Sequence, residues 1–156
     1  MITISDLPRD RGAEVSHLAL GPGQADFVGV IDNMVKDPSP DRDFHAVREG
    51  DTVVGFFKID RGYAPFHDFA QAHGWGLRGL LIGAQYQGLG LGRAMLAVLP
   101  GYLRARYPSQ RLYYLTVNCR NTRAYSAYLS GGWMDAGALY HGGSSGPQHI
   151  LQLDLP

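Results

Sequence analysis

Gln87-Gly88-Leu89-Gly90-Leu91-Gly92-Arg93 stands between an apolar run, Leu77 to Ile82, and a segment in which Ala94, Met95, Val98 and Leu99 recur at helical spacing. The run reads as a buried strand and the segment as a helix, so the glycines form the turn between them. Three glycines at alternate positions remove Cβ atoms, which lets the backbone bend tightly and approach a ligand closely. A turn of this kind aims unpaired N–H groups and the positive end of the helix dipole at one point, a setting that suits a phosphate. The same pattern also describes a plain flexible turn, and only the surrounding chain separates the two.

The 156 residues are enough for one domain that buries about 70% of its unfolded surface. With 45% hydrophobic and 18% charged residues, the composition suits a compact fold rather than disorder. The lone Cys119 excludes an internal disulfide framework and a cysteine-based zinc site. The six histidines show no ligand spacing, so no metal is expected. No apolar run reaches the length of a membrane span, and the first six residues lack the charged-then-apolar order of a secretory signal. The expectation is a cytoplasmic protein with neither membrane nor nucleic-acid partners, and a homodimer stays open. Formal net charge is zero, but 12 of the 14 carboxylates lie between Met1 and Asp68, leaving that half at −5. Phe69 to Met134 holds no Asp or Glu and seven arginines. Arginine-tolerant helix surfaces would explain this, and so would a second half facing a polyanion. The glycine loop lies inside the acid-free span, which favours the latter.

Val15 to Leu20 predicts a first strand, ended by Gly21-Pro22-Gly23. Gln24 to Lys36 carries Phe27, Val28, Ile31, Met34 and Val35 at helical spacing until Asp37-Pro38-Ser39-Pro40-Asp41 breaks it. Phe44 to Arg48 and Thr52 to Asp60 flank Glu49-Gly50-Asp51 as a hairpin. Arg61 to Gly76 reads as a loop with one short helix. The helix after the glycine loop should reach about Tyr107. Pro100 inside it removes one hydrogen bond and clashes with the Leu96 carbonyl, at about 3 kcal/mol, so a kink or break is expected there. Arg111 to Asn118 is a strand, and Asn121 to Ser130 a helix capped by Asn121 and closed by Gly131-Gly132. Met134 to Tyr140 and His149 to Leu155 close the chain as strands. The order predicts a single α/β domain over residues 1–156, of mixed α+β character, with helices on both faces of one mixed sheet.

A P-loop needs Lys-Ser or Lys-Thr after its glycines, and Arg93-Ala94 follows instead. A dinucleotide fingerprint would put its third glycine at position 93, which is Arg, and its acid about twenty residues on, where none occurs before Asp135. The third pattern is Gln87-x-x-Gly90-x-Gly92 followed by Arg93-Ala94, between a strand and a helix. It resembles the acyl-CoA pyrophosphate loop of the GNAT superfamily of N-acetyltransferases. A second match follows, Asn121-x-x-Ala124-x-x-x-Tyr128-x-x-x-Gly132-Trp133, with Trp133 where that family usually has Phe. The resemblance covers Leu77 to Trp133, and the N-terminal half only through element order. Gln24 to Val28 and Arg78 to Ile82 look most like the polyamine and small-amine branch, a weaker match. The resemblance implies a GNAT-like domain, with a mostly antiparallel sheet of six to seven strands splayed in the middle, and acetyl-CoA as co-substrate.

On that resemblance, the backbone of Gly88, Leu89, Gly90, Leu91 and Gly92 would wrap the pyrophosphate, with Gln87 beside it and Arg93 adding charge. The pantetheine arm would pair with backbone groups of Leu80 and Ile82, where two strands splay apart. A bulge near Leu81 would free an N–H to donate to the thioester oxygen as it becomes an oxyanion. Asn121, beside Ala124, either bonds the pantetheine end or caps its helix, or does both. Tyr128, protonated at pH 7, would be the general acid toward the departing thiolate, and packing is its other role. The general base stays open among His73, His17, Asp60, Asp68 and a water relay, and Cys119 is a bystander. Asp32, Asp37, Asp41 and Asp43 would attract a cationic amine, while Phe66, Phe69 and Trp75 would line an apolar acceptor site. The expected activity is transfer of acetyl to a primary amine of a small, polyamine-like or other molecule by direct attack in a ternary complex. A peptide or protein N-terminal acetyltransferase, a catalytically silent acyl-CoA-binding module and an unrelated nucleotide-binding protein are the alternatives.

Overall fold

Every residue from Val53 to Asp60 is buried, which for a strand means that both of its faces are covered. In the computed structural model, described for residues 1–20 and 31–156 and without the side chain of Asp32, this strand is β3 (Thr52–Asp60). The others are β1 (Ile2–Asp6), β2 (Arg42–Glu49), β4 (Trp75–Ile82), β5 (Leu112–Asn118), β6 (Met134–Tyr140) and β7 (Gln148–Asp154). They form one seven-stranded sheet in the order β1-β2-β3-β4-β5-β7-β6. All neighbours are antiparallel except β4 and β5. Val54, Phe57 and Ile59 pack into a core with Met95, Leu96, Leu99 and Leu103 of α2 (Leu91–Arg106) and Tyr128 of α3 (Thr122–Ser130). Val53 and Phe56 face a second core with Val15, Leu18, and Ile31 and Met34 of α1 (Ile31–Met34). The sheet is thus the expected mostly antiparallel one, with helices on both faces.

Several expectations need correction. Val15 to Leu20 is not a strand: a 3₁₀ helix covers Arg9–Val15 and a turn follows. Val15 and Leu18 are the buried pair of this region, and their spacing of three is that of a turn, not of strand alternation. The first strand is Ile2–Asp6, paired with β2 along one edge. The Gln24 to Lys36 helix is seen only as Ile31–Met34, and its first part lies outside the described residues. α2 is one 16-residue helix that runs through Pro100 without a break. Gly131 backs onto this point, where a Cβ would stand 3.0 Å from Leu96 Cβ and 3.4 Å from its carbonyl oxygen. The two closing strands form as expected, with β7 lying between β5 and β6 in the sheet.

His45 ties β2 to α2. It is fully buried and stacks on Phe57 at 4.8 Å, with Tyr102 Oη 2.7 Å from Nδ1 and Tyr107 Oη 3.1 Å from Nε2. Tyr107 donates its hydroxyl proton to Asp43 at 2.6 Å, so its oxygen accepts from the imidazole and Nε2 carries the hydrogen. Burial pushes the His45 pKa down to about 4. Folded His45 therefore takes up its proton only near pH 4, whereas the unfolded chain does so below about 6.5. Stability is intact above 6.5 and falls as pH drops through that window, by about 3 kcal/mol for this one group. Denaturant unfolding followed against pH should show this loss, and His45→Gln should flatten the stretch from 6.5 to 4.5 relative to the parent.

Candidate active site

β4 and β5 pair only at Trp75–Tyr113 and Gly76–Tyr114 and then part. Their divergence opens a cleft of about 980 Å³, lined at one end by Gly88, Gly90 and Gly92 and at the other by Arg42, Lys58, Tyr63 and His67.

The glycine loop follows a 3₁₀ turn at Ala84–Tyr86. Gly88 and Gly90 have φ of +81° and +77°, a left-handed backbone that side chains disfavour, and no atom lies within 4 Å of where their Cβ would stand. Gly90 is the N-cap of α2 without a side-chain cap, and the first turn holds no acid. The opening N–H groups thus lack side-chain partners at the positive end of the helix. A cradle that added Cβ atoms would fill, set on a helix N-terminus, fits a pyrophosphate. Two of the expected contacts are committed within the protein. Gln87 Nε2 donates to the Ile82 carbonyl at 2.8 Å, and Arg93 Nη1 donates to Ser130 Oγ at 2.9 Å. Leu89 points outward and is exposed, whereas Leu91 lines the cleft.

On β4, the side chains of Leu80 and Ile82 line the cleft, and Leu81 is buried on the opposite face in the second core. Phe56 stands opposite Leu81 and Lys58 opposite Arg78, so Gly79 and Leu80 form the bulge, just before Leu81 rather than at it. Gly79 has φ +62°, as such a kink requires. Ile82 sits in register with Gly55 on the β3 side, and of its backbone groups the carbonyl accepts from Gln87. On α3, Asn121 Oδ1 accepts from Ala124 N at 3.3 Å, a helix cap, and both residues line the cleft. Tyr128 is buried on the cleft wall, edge-on to Trp133 at 5.9 Å. Its hydroxyl has no hydrogen-bond partner among the described residues, and burial pushes its pKa above the ordinary value near 10. At neutral pH it is a phenol.

The far end is ionic. Asp37 accepts from Arg42 Nη1 at 2.7 Å, Lys58 Nζ at 2.9 Å and Ser39 N at 3.1 Å. Burial pushes the Asp37 pKa up, but these hydrogen bonds outweigh it and hold the carboxyl well below its usual range. Asp60 accepts from Arg78 Nε at 2.7 Å and Gly62 N at 2.9 Å, with Arg42 Nε 3.4 Å away. His67 stacks on Tyr63 at 3.8 Å, with Nδ1 3.0 Å from the Tyr63 carbonyl. A carbonyl only accepts, so Nδ1 holds the proton of the neutral ring and Nε2 keeps a bare lone pair. Burial lowers the His67 pKa, partly offset by that hydrogen bond.

Other expected residues stay apart from this cleft. Trp75 packs edge-on against Tyr107 at 5.1 Å and Tyr113 at 6.2 Å, Phe66 is 79% exposed, and the Asp32 side chain lies outside the described residues. Asp43 is taken up by Tyr107, and Asp37 by Arg42 and Lys58. Of the base candidates, His73 and Asp68 are exposed away from the cleft, and His17 Nε2 faces the Val53 carbonyl at 2.8 Å. His67, Lys58, Arg42 and Arg78 are among the cleft residues that sequence reasoning passed over. The available signal was two charges, Lys58 and Asp60, in an otherwise apolar strand.

A model of the acetyltransferase (GNAT) family matches residues 13–132. No curated protein matches the chain. Among solved structures, an aminoglycoside acetyltransferase in complex with coenzyme A superposes with a TM-score of 0.76 at 15% identity, covering 99% of this chain and 95% of that one. A chimera of a spermidine N-acetyltransferase from Vibrio cholerae gives 0.71 at 15% identity, over 98% and 95%. The ribosomal-protein-S18-alanine N-acetyltransferase from Escherichia coli gives 0.64 at 19% identity, over 100% and 94%. At these identities the likeness is one of fold.

Gly90→Ala should weaken coenzyme A binding, read by calorimetry, at least tenfold. Gly50→Ala carries the same left-handed strain (φ +59°) on the β2–β3 turn and should leave that affinity unchanged.

Proposed function

The chain belongs to the acetyltransferase (GNAT) family, and on that premise we propose that it transfers the acetyl group of acetyl-CoA to the primary amine of a small molecule, by direct attack in a ternary complex. The observation that carries this reading is one continuous cleft that joins a left-handed glycine cradle at the head of α2 to the buried phenol of Tyr128. Acetyl-CoA, when bound, supplies an activated thioester.

The protein's own groups then have distinct tasks. The N–H groups from Gly88 to Gly92 hold the pyrophosphate, aided by the α2 dipole. The β4 edge at Leu80 and Ile82 guides the pantetheine arm, and an N–H freed at the Gly79–Leu80 bulge donates to the thioester oxygen as charge develops there. Tyr128 donates to the sulfur as it departs. Burial raises the proton affinity of the phenol, but a thiolate in the same dry site is raised with it, so the two stay matched. Asp37 and Asp60 already accept from the neighbouring cations and from the Ser39 and Gly62 N–H groups. His67 Nε2 therefore takes the proton released by the attacking amine. Holding both reactants in register supplies most of the acceleration, and proton transfer adds roughly 10²–10⁴-fold.

Release of free thiol from acetyl-CoA in the presence of a primary amine is the direct test. Tyr128→Phe should lower kcat about 10²–10⁴-fold while coenzyme affinity holds; a silent coenzyme-binding module would release no thiol in either form. His67 acts when neutral, and its pKa lies below the usual 6.5, so kcat/KM should rise with pH through an acid limb that ends below 6.5. His67→Gln should abolish that limb.

A further inference from the structure

Three cations, Arg42, Lys58 and Arg78, meet two carboxylates, Asp37 and Asp60, at the cleft end away from the glycine loop. Every oxygen of the two carboxylates already accepts, and their side chains are only 9% and 3% exposed. Asp37 Oδ1 takes the Ser39 N–H, and Oδ2 takes Arg42 and Lys58. Asp60 Oδ1 takes the Gly62 N–H, and Oδ2 takes Arg78 with Arg42 beside it. The cations keep donors in reserve. Among the described residues, Arg78 uses only Nε, Arg42 leaves Nη2 without a partner, and Lys58 commits one of its three protons. Lys58 is 7% exposed, so this surplus of positive charge is held in a largely dry place, where an unmatched charge is costly.

The geometry selects the ligand. The Arg78 guanidinium lies over the Tyr63 ring at 5.0 Å, and its Nε is pinned by Asp60. That fixes the plane of the fork whose two terminal nitrogens remain free, the arrangement that receives a carboxylate or phosphate through paired hydrogen bonds. Among the described residues, a polycation would meet spare cationic donors here and no carboxylate that is not already accepting from them. Within the reading of acetyl transfer given above, on which this rests, we infer that the acceptor is an amine bearing an anionic group, a carboxylate or a phosphate, which Arg78 grips with help from Lys58 and Arg42. The two aspartates are positioning residues: they orient the cations rather than bind the acceptor.

Matched pairs test this. Thiol release would be followed with the standard amino acids against their amides, O-phosphoethanolamine against ethanolamine, and spermidine and kanamycin as polycations. The anionic member of one pair should show kcat/KM at least tenfold above its neutral partner, and which pair responds distinguishes carboxylate from phosphate. Arg78→Gln should cut that ratio at least tenfold, and Arg78→Lys should restore part of it, with the thermal shift by coenzyme A retained in both. Equal or better turnover of the amides, ethanolamine or the polycations overturns the anion site and leaves acetyl transfer standing. If coenzyme binds but no compound is acetylated, the transfer reading falls. The same panel read by thermal shift in the presence of coenzyme A then judges the site alone. Stabilisation by the anionic member only supports it, and equal or absent stabilisation overturns it.

Discussion

β4 and β5, joined through α2, run parallel, yet they pair at only two positions. Beyond Gly76 and Tyr114, the facing edges of two central strands are no longer bonded to each other. Each strand stays in place because its other edge is held, β4 by β3 and β5 by β7 along its whole length. The separation is therefore a rigid gap and not a frayed edge. Backbone polar groups in such a gap need partners, and an extended amide-bearing chain supplies them in the spacing a strand would. The glycine loop, the bulge at Gly79–Leu80 and the wall of α3 all take their places relative to that gap.

Glycine does separate jobs along this line. Gly76 lets the Tyr63 ring lie against the first residues of β4, where a Cβ would fall 2.0 Å from a ring carbon. With Tyr63 seated there, His67 stacks on it and Arg78 spans it. Gly88 and Gly90 face open space instead, and what they provide is a left-handed backbone and room. The first kind of glycine builds the ionic end of the cleft, and the second builds the end at the head of α2.

The ionic cluster shows how a buried strand tolerates charge. Phe56, Lys58 and Asp60 share one face of β3, and the two charged residues follow the aromatic one outward toward the cleft. Lys58 is matched by Asp37 from the segment before β2, and Asp60 by Arg78 from β4. Three separate stretches of chain thereby meet at one point. Each carboxylate gains from several donors what burial costs it, and the cations are held with hydrogen-bonding capacity in reserve.

Local chemistry was enough to read the glycine loop, the helices that follow it, the β2–β3 hairpin and the Asn121 cap, since each depends on residues a few positions apart. The two motifs also fall on one wall of the same cleft, because Gly88 to Arg93 and Asn121 to Tyr128 each occupy one turn-and-helix unit. Val15 to Leu20 misled because Val15, Leu18 and Leu20 in six residues satisfy two periods at once, and only burial chose between them. Trp75 and Phe66 misled because an aromatic residue carries no mark of which cavity it faces. The ionic end belonged to the tertiary structure alone. Arg42, Lys58, His67 and Arg78 come from separate places in the chain, and no spacing between them encodes their meeting. The insertion of β7 between β5 and β6 was hidden for the same reason: strand order is settled by which edges find partners across the whole sheet, and a sequence states only what each strand can offer.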